Sequence, residues 1–229
     1  MKTETPVTIA QFIDNLIQRD PNQVISTFRD EINVFTIDEL YKRANLLAKG
    51  LMYIGVGKDT KVALVLSGTT NCITFVLALS FIGAVLVPIN KDSDVKITQE
   101  ILKKCEVHTV GFYADHFIDK FKTIIPDYLN SERGYLKNAN FPSLKNVITF
   151  GSIKNRGIFT TREIMLLGEH TDDFEIEIMS KTVMPDDLFI KQAVFDSKNK
   201  LTFHSITQGT IIKENYSLSA LQNYLLNLV

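Results

Sequence analysis

The sequence contains no tryptophan and only two cysteines among its 229 residues. Cys72 and Cys105 sit in apolar surroundings without metal-ligand spacing, so they read as buried thiols of a reducing compartment rather than a disulfide framework. An excess of either charge is also missing. The 25 Lys and Arg against 26 Asp and Glu give a net charge of -1, which excludes a global pull toward nucleic acid or an anionic membrane. The four histidines, His108, His116, His170 and His204, are dispersed with no HxxxH or Cys/His spacing, so no metal site is expected. No serine lies in a G-x-S-x-G elbow, which leaves hydrolase chemistry without support. The start "MKTETPVTIAQFIDN" lacks the basic and apolar regions of a secretory signal. One run, "CITFVLALSFIGAVLVPI", is long enough to raise the transmembrane question, but Gly83 and Pro88 divide it into a buried helix and a buried strand. The expectation is a cytoplasmic chain without a membrane span.

What is present is an alternation of helices and strands. Thr8 to Arg19 carries Ile9, Phe12, Ile13, Leu16 and Ile17 at helical spacing. "VISTF" and "VFTI" read as a β-hairpin around "RDEIN". Thr36 and Glu39 form a capping-box pattern that opens "IDELYKRANLLAKGLMYIG", whose Leu40, Ala44, Leu47, Leu51 and Ile54 share one face, and Gly55 and Gly57 end it. Next come strand "KVALVLS", helix "NCITFVLALSFIGA", strand "VLVPI", helix "ITQEILKKC" and strand "HTVGFYA". Helix "HFIDKFKTIIPDYL" and strand "NVITF" complete the series. Strands without in/out alternation are buried on both faces, and their alternation with helices indicates a parallel sheet. Thr160 and Glu163 form a second capping box, followed by the acidic helix "DDFEIEIMSK" with a solvated face. Beyond Pro185 the pattern becomes a hairpin, "DLFIKQAVF" and "LTFHSI", and then the leucine-rich helix of the tail, with Leu218, Leu221, Leu225 and Leu228 on one side. The predicted fold is α/β: a mostly parallel sheet with flanking helices, plus hairpins near the amino terminus and at 188–206. One domain spans 1–229, made of an N-terminal helix, hairpin and long helix (1–60), a βαβ core (61–184), and a hairpin with a C-terminal helix (185–229).

Specific residues carry a family resemblance. "FTIDELYKRANLLAKGLMYIGVGKDTKVALVLSGTTNCITFVLALSFIGAVLVPIN" resembles the opening of AMP-forming acyl-CoA synthetases, members of the adenylate-forming ligase superfamily. "IPDYLNSERGYLKNANFPSLKNVITFG", "RGIFTTREIMLLGEH" and "MPDDL" are similar to the corresponding stretch of medium- and long-chain fatty-acyl ligases. The resemblance implies that family's N-terminal lobe. In the family, ATP and Mg²⁺ activate a carboxylic acid to an acyl-adenylate, and coenzyme A then takes the acyl group. The family's phosphate-binding signature, [ST]-S-G-[ST]-[TS]-G-x-P-K-G, lies between an Asp-Asp strand and a T-H-x-N-[LI] helix start. Asp186-Asp187 and Thr207-Gln-Gly-Thr-Ile211 are the matching flanks here.

Between those flanks the expected glycines are absent. Ungapped alignment sets "VFDSKNKLT", Val194 to Thr202, on the signature, with Thr202 on its lysine and Gln208 on the following histidine. A triphosphate loop needs backbone N–H groups turned inward, and glycines permit the positive φ angles this requires. This loop supplies no glycine and adds Asp196, a fixed negative charge; the same residues suit a tight hairpin. Ser197, Lys198, Lys200 and Thr202 are the candidate nucleotide-binding residues, and no catalytic or metal residue is expected. "LSGTTNCIT" imitates a phosphate loop but lacks its second glycine and lysine, so it reads as a helix start. The expected function is that of a truncated or degenerate acyl-CoA synthetase acting by binding or assembly, with no cofactor of its own. The partners are a second copy through exposed apolar surface, or a ligase or carrier protein. The alternatives are the N-terminal fragment of an active ligase, which would use ATP, Mg²⁺ and coenzyme A, and a small-molecule-binding α/β module.

Overall fold

A computed structural model of the chain describes residues 7–25, 35–66, 70–151, 155–198 and 200–214, together with 217, 220, 221, 223 and 224. Helix α1 (Ile9–Arg19) begins where Thr8 accepts the Gln11 N–H and Gln11 returns a bond to the Thr8 N–H, a capping box built with glutamine. Strands β1 (Val24–Ile25) and β2 (Phe35–Thr36) pair antiparallel, and the rest of the expected hairpin lies outside the described residues. Helix α2 (Ile37–Tyr53) opens with the Thr36–Glu39 box and buries Leu40, Ala44, Leu47 and Leu51. At its end only Gly55 takes a positive φ, 85°.

Four βαβ steps build the sheet. Strand β3 (Lys61–Val65) is followed by helix α3 (Thr70–Phe81) and strand β4 (Val85–Ile89); helix α4 (Val95–Lys104) then leads to strand β5 (Thr109–Phe112). Helix α5 (Ala114–Ile124) precedes β6 (Asn146–Thr149). The sequence pattern suggested one helix through Leu129, but α5 stops at Ile124 and Pro126–Asn130 form a separate 3₁₀ turn. Pro126 lacks an N–H and disfavours helical backbone at Ile125, which breaks the run. A two-residue strand β7 (Phe159–Thr160), not expected from the sequence, precedes helix α6 (Thr161–Gly168) with its Thr160–Glu163 box, and helix α7 (Asp173–Lys181) follows. Antiparallel strands β8 (Leu188–Phe195) and β9 (Leu201–Thr207) lead into α8 (Gln208–Glu214). Of the expected tail helix, Leu218, Leu225 and Leu228 lie outside the described residues, and Leu221 is buried.

Seven strands form one sheet in the order β7-β6-β5-β3-β4-β8-β9, parallel except for the last pair. β3 and β4 read as unbroken apolar runs because both of their faces are covered. One face packs on α1, α2, α3 and α6 through residues such as Leu47, Phe75 and Ile164, and the other on α4 and α5 through Leu102, Phe117 and Phe121. Among the described residues, no helix is long and apolar enough to cross a membrane.

Candidate functional site: the hairpin tip and the strand-end crevice

Strand order fixes where a crevice opens. From β3 the chain crosses one face through α3 to β4, returns across the other face through α4, and enters β5 on the far side of β3. The connections leaving β3 and β5 therefore diverge to opposite faces, and their carboxyl ends flank a topological switch point. Tyr113 follows β5 there, its ring edge-on to Phe150 at 5.6 Å, and Phe75 packs the same ring at 4.9 Å. Asn71 donates to the Phe150 carbonyl at 3.4 Å. Ser67, Gly68 and Thr69 fall outside the described residues; from Thr70 on, "LSGTTNCIT" forms the start of α3, as the helix-start reading expected. A separate open pocket of about 280 Å³, lined by Leu102, Glu106, Phe141 and neighbours, lies at the opposite, amino-terminal end of β5 and β6.

The β8–β9 hairpin projects past the carboxyl ends. Leu86 of β4 pairs with Ile190, β4 stops three residues later at Ile89, and β8 continues to Phe195. Its turn is closed by a bond from the Asp196 N–H to the Lys200 carbonyl, 3.0 Å. Inside it, Asp196 Oδ1 accepts the backbone N–H groups of both Lys198 and Lys200, each at 2.9 Å. Ser197, Lys198 and Lys200 are exposed at the tip. Thr202 stands apart from them, in strand β9 opposite Val194, with its hydroxyl on the Val194 carbonyl at 3.3 Å. The four candidate residues are thus divided, three in the turn and one in the ladder. Asn199 lies outside the described residues. Below the tip, Leu201 is buried and Phe203 and Ala193 pack on the α4–α5 face, while Lys191 Nζ sits 5.2 Å over the Phe203 ring.

The flanks of the hairpin have structural partners. Asp187, just before β8, accepts the Met184 N–H at 2.7 Å and pairs with Lys58 at 2.7 Å. Burial acts to raise its carboxyl, but the Lys58 hydrogen bond, the Met184 N–H and the Lys58 charge outweigh burial and hold it below the ordinary range. Gln208 is fully buried; its Oε1 accepts the Ile9 N–H at 3.0 Å and its Nε2 donates to the Ser80 carbonyl at 2.9 Å. It ties α8 to α1 and α3, a role the sequence pattern did not disclose because both partners are far away in the chain. His170 and His204 are exposed, and no group of three or more metal-ligating side chains occurs among the described residues.

Residues 13–147 match the AMP-binding enzyme family. The Bacillus subtilis (strain 168) protein YngI, named as an acyl-CoA synthetase, is 25% identical over 207 residues, which cover 89% of this chain and 35% of YngI. The Danio rerio medium-chain acyl-CoA ligase ACSF2, mitochondrial, is 20% identical over 213 residues, 91% of this chain and 35% of that one. The chain spans about a third of the length of these curated relatives. The solved N-terminal domain of FACL13 from Mycobacterium tuberculosis shares the fold with a TM-score of 0.68 at 14% identity, covering 97% of this chain and 55% of that one. With fold and family match in agreement, the chain belongs to the AMP-binding enzyme family, as its amino-terminal α/β region.

Proposed function

We propose that this chain uses the amino-terminal fold of an AMP-forming acyl-CoA ligase as a binding or assembly unit and forms no acyl-adenylate by itself. The observation that carries the reading is the Asp196 carboxylate, which takes the Lys198 and Lys200 N–H groups. In a triphosphate loop such donors face the phosphates. Here they are satisfied from within, and an incoming phosphate has to displace one anion and sit beside it. Two like charges 4 Å apart repel by about 4 kcal/mol at an effective dielectric near a protein surface. The span from Val194 to Phe203 has no glycine to open the turn another way. The turn does not fit MgATP.

Calorimetric titration with ATP and Mg²⁺ to millimolar concentration tests this, and the expected result is no binding heat. Binding that disappears in Lys198→Ala or Lys200→Ala overturns it. The same reading includes self-association, supported by Phe174 and Ile178, 64% and 49% exposed on one stripe of α7. Light scattering at high micromolar concentration then reports more than a monomer. A strictly monomeric species removes the second copy as partner and leaves a ligase or a carrier protein.

A second reading is favoured by the 35% span of YngI and ACSF2. On it, the chain is the N-terminal piece of an active fatty-acyl-CoA ligase, whose ATP and coenzyme A sites draw on further residues. Reading the frame past Val229 decides it: adenine-binding and hinge motifs there, with ATP-dependent acyl-CoA formation by the product, support this reading over the first.

A further inference from the structure

At the amino-terminal end of the sheet, remote from the crevice, four polar groups meet in a largely buried site. Thr109, the first residue of β5, is fully buried, and Asn146, its register partner on β6, is 1% exposed. Asn146 Nδ2 donates to Thr109 Oγ1 at 3.3 Å and to the carbonyl of Ile54, the C-cap of α2, at 3.2 Å. The Thr109 hydroxyl also contacts His108 Nδ1 at 3.0 Å. Asn146 Oδ1 is buried with no hydrogen-bond partner among the described residues.

A hydroxyl has one proton to give. Thr109 Oγ1 already accepts from Asn146, and among the described residues its proton finds an acceptor only at His108 Nδ1. Hydrogen-bond direction then fixes the ring with its proton on Nε2. We propose that His108 is held as the neutral Nε2–H tautomer by a directed chain from Asn146 through Thr109, and that protonating the ring reverses this chain and releases the carboxyl end of α2. The imidazolium Nδ1–H must donate to Oγ1, which leaves the buried Thr109 proton without an acceptor. Among the described residues only Asn146 Oδ1 can take it, and turning that amide pulls Nδ2 away from the Ile54 carbonyl. A buried donor or acceptor left unsatisfied is unfavourable either way.

The surrounding charges favour the neutral ring. Burial first, and then the Lys145 ammonium on the segment leading into β6, push the His108 pKa below its ordinary 6.5. From β3, Lys61 presents its carbonyl to the His108 N–H at 2.9 Å. Glu106 on the same segment is exposed, and Arg133 on the facing loop is paired with Glu163 at 3.0 Å.

The test is nuclear magnetic resonance on the full chain with ¹⁵N-labelled histidine and asparagine, titrated from pH 8 to pH 4. The expected result is a neutral His108 protonated at Nε2. Its titration is accompanied by a shift of the Asn146 side-chain amide and by loss of exchange protection at the Ile54, Gly55 and Val56 amides. Thr109→Val gives a mixture of ring tautomers and uncouples Asn146 from the titration, while Thr109→Ser preserves both signatures. A neutral ring protonated at Nδ1, or a His108 titration that leaves Asn146 and residues 54–56 unmoved, overturns the proposal. The wild-type spectra decide it even where Thr109→Val does not fold.

Discussion

Single side chains settle several local questions in this molecule. Asp196 closes its own turn, holding the Lys198 and Lys200 N–H groups with one carboxylate oxygen. Gln208 has the opposite reach, because its two ends hold backbone groups of α1 and α3. The Ile9 N–H lies in the first turn of its helix and has no intrahelical acceptor, so removing Oε1 strands it. Gln208→Leu is expected to lower stability by about 2–4 kcal/mol, the cost of stranding two buried polar groups with partial relaxation. Urea unfolding measures this, and a loss well under 1 kcal/mol means that water replaces the amide.

At the scale of elements, α2 and α6 approach each other closely through glycine. A Cβ on Gly50 would stand 1.8 Å from the Ile164 carbonyl oxygen, and one on Gly168 2.2 Å from that of Leu46. Alanine at a helix interior ordinarily gains about 1 kcal/mol over glycine. Here the clash is with backbone, which cannot rotate away, and overpacking of this kind costs about 1–3 kcal/mol or more. Gly50→Ala and Gly168→Ala are therefore expected to destabilise, by about 2 kcal/mol at the upper end of that range once the propensity gain is subtracted, read from denaturant midpoints. Stabilisation by either variant means that α6 slides away from α2 at little cost. These glycines are visible in the sequence, but their reason is not, since each close neighbour comes from another helix. The capping boxes are the contrary case. Thr36 with Glu39 and Thr160 with Glu163 act within one turn, and both were legible for that reason.

Over the whole molecule, three shifted groups among the described residues act on the acid side of the stability curve. His108 has its pKa lowered, so the unfolded chain binds its proton first, and stability is lost as pH falls from about 6.5 through the folded value. Asp187 is also lowered, and its contribution is present above the ordinary 3.8 and lost as pH falls through its folded value. Asp14 works against them: burial raises its carboxyl, with a Tyr41 hydrogen bond opposing, so folding favours its protonated form and its penalty is relieved in acid. Urea midpoints are expected to fall in two steps, one starting near pH 6.5 and one below about pH 4. His108→Gln removes the first step and Asp187→Asn weakens the second. A midpoint that is flat between pH 7 and pH 5 contradicts the role given to His108.

Apart from β7 and the 3₁₀ turn at Pro126, the sequence by itself determined the element types, the parallel α/β class and the hairpin at 188–206, because each follows from local periodicity, capping and turn chemistry. It also placed Asp196 in a turn that satisfies itself, since the bonds run to residues two and four positions ahead. Strand order, the switch point between β3 and β5, the Gln208 tie and the His108–Thr109–Asn146 chain were decided only by the tertiary structure. Each joins groups separated by long stretches of chain, apart from the His108–Thr109 step, and no local pattern records which distant partner a buried polar group will meet.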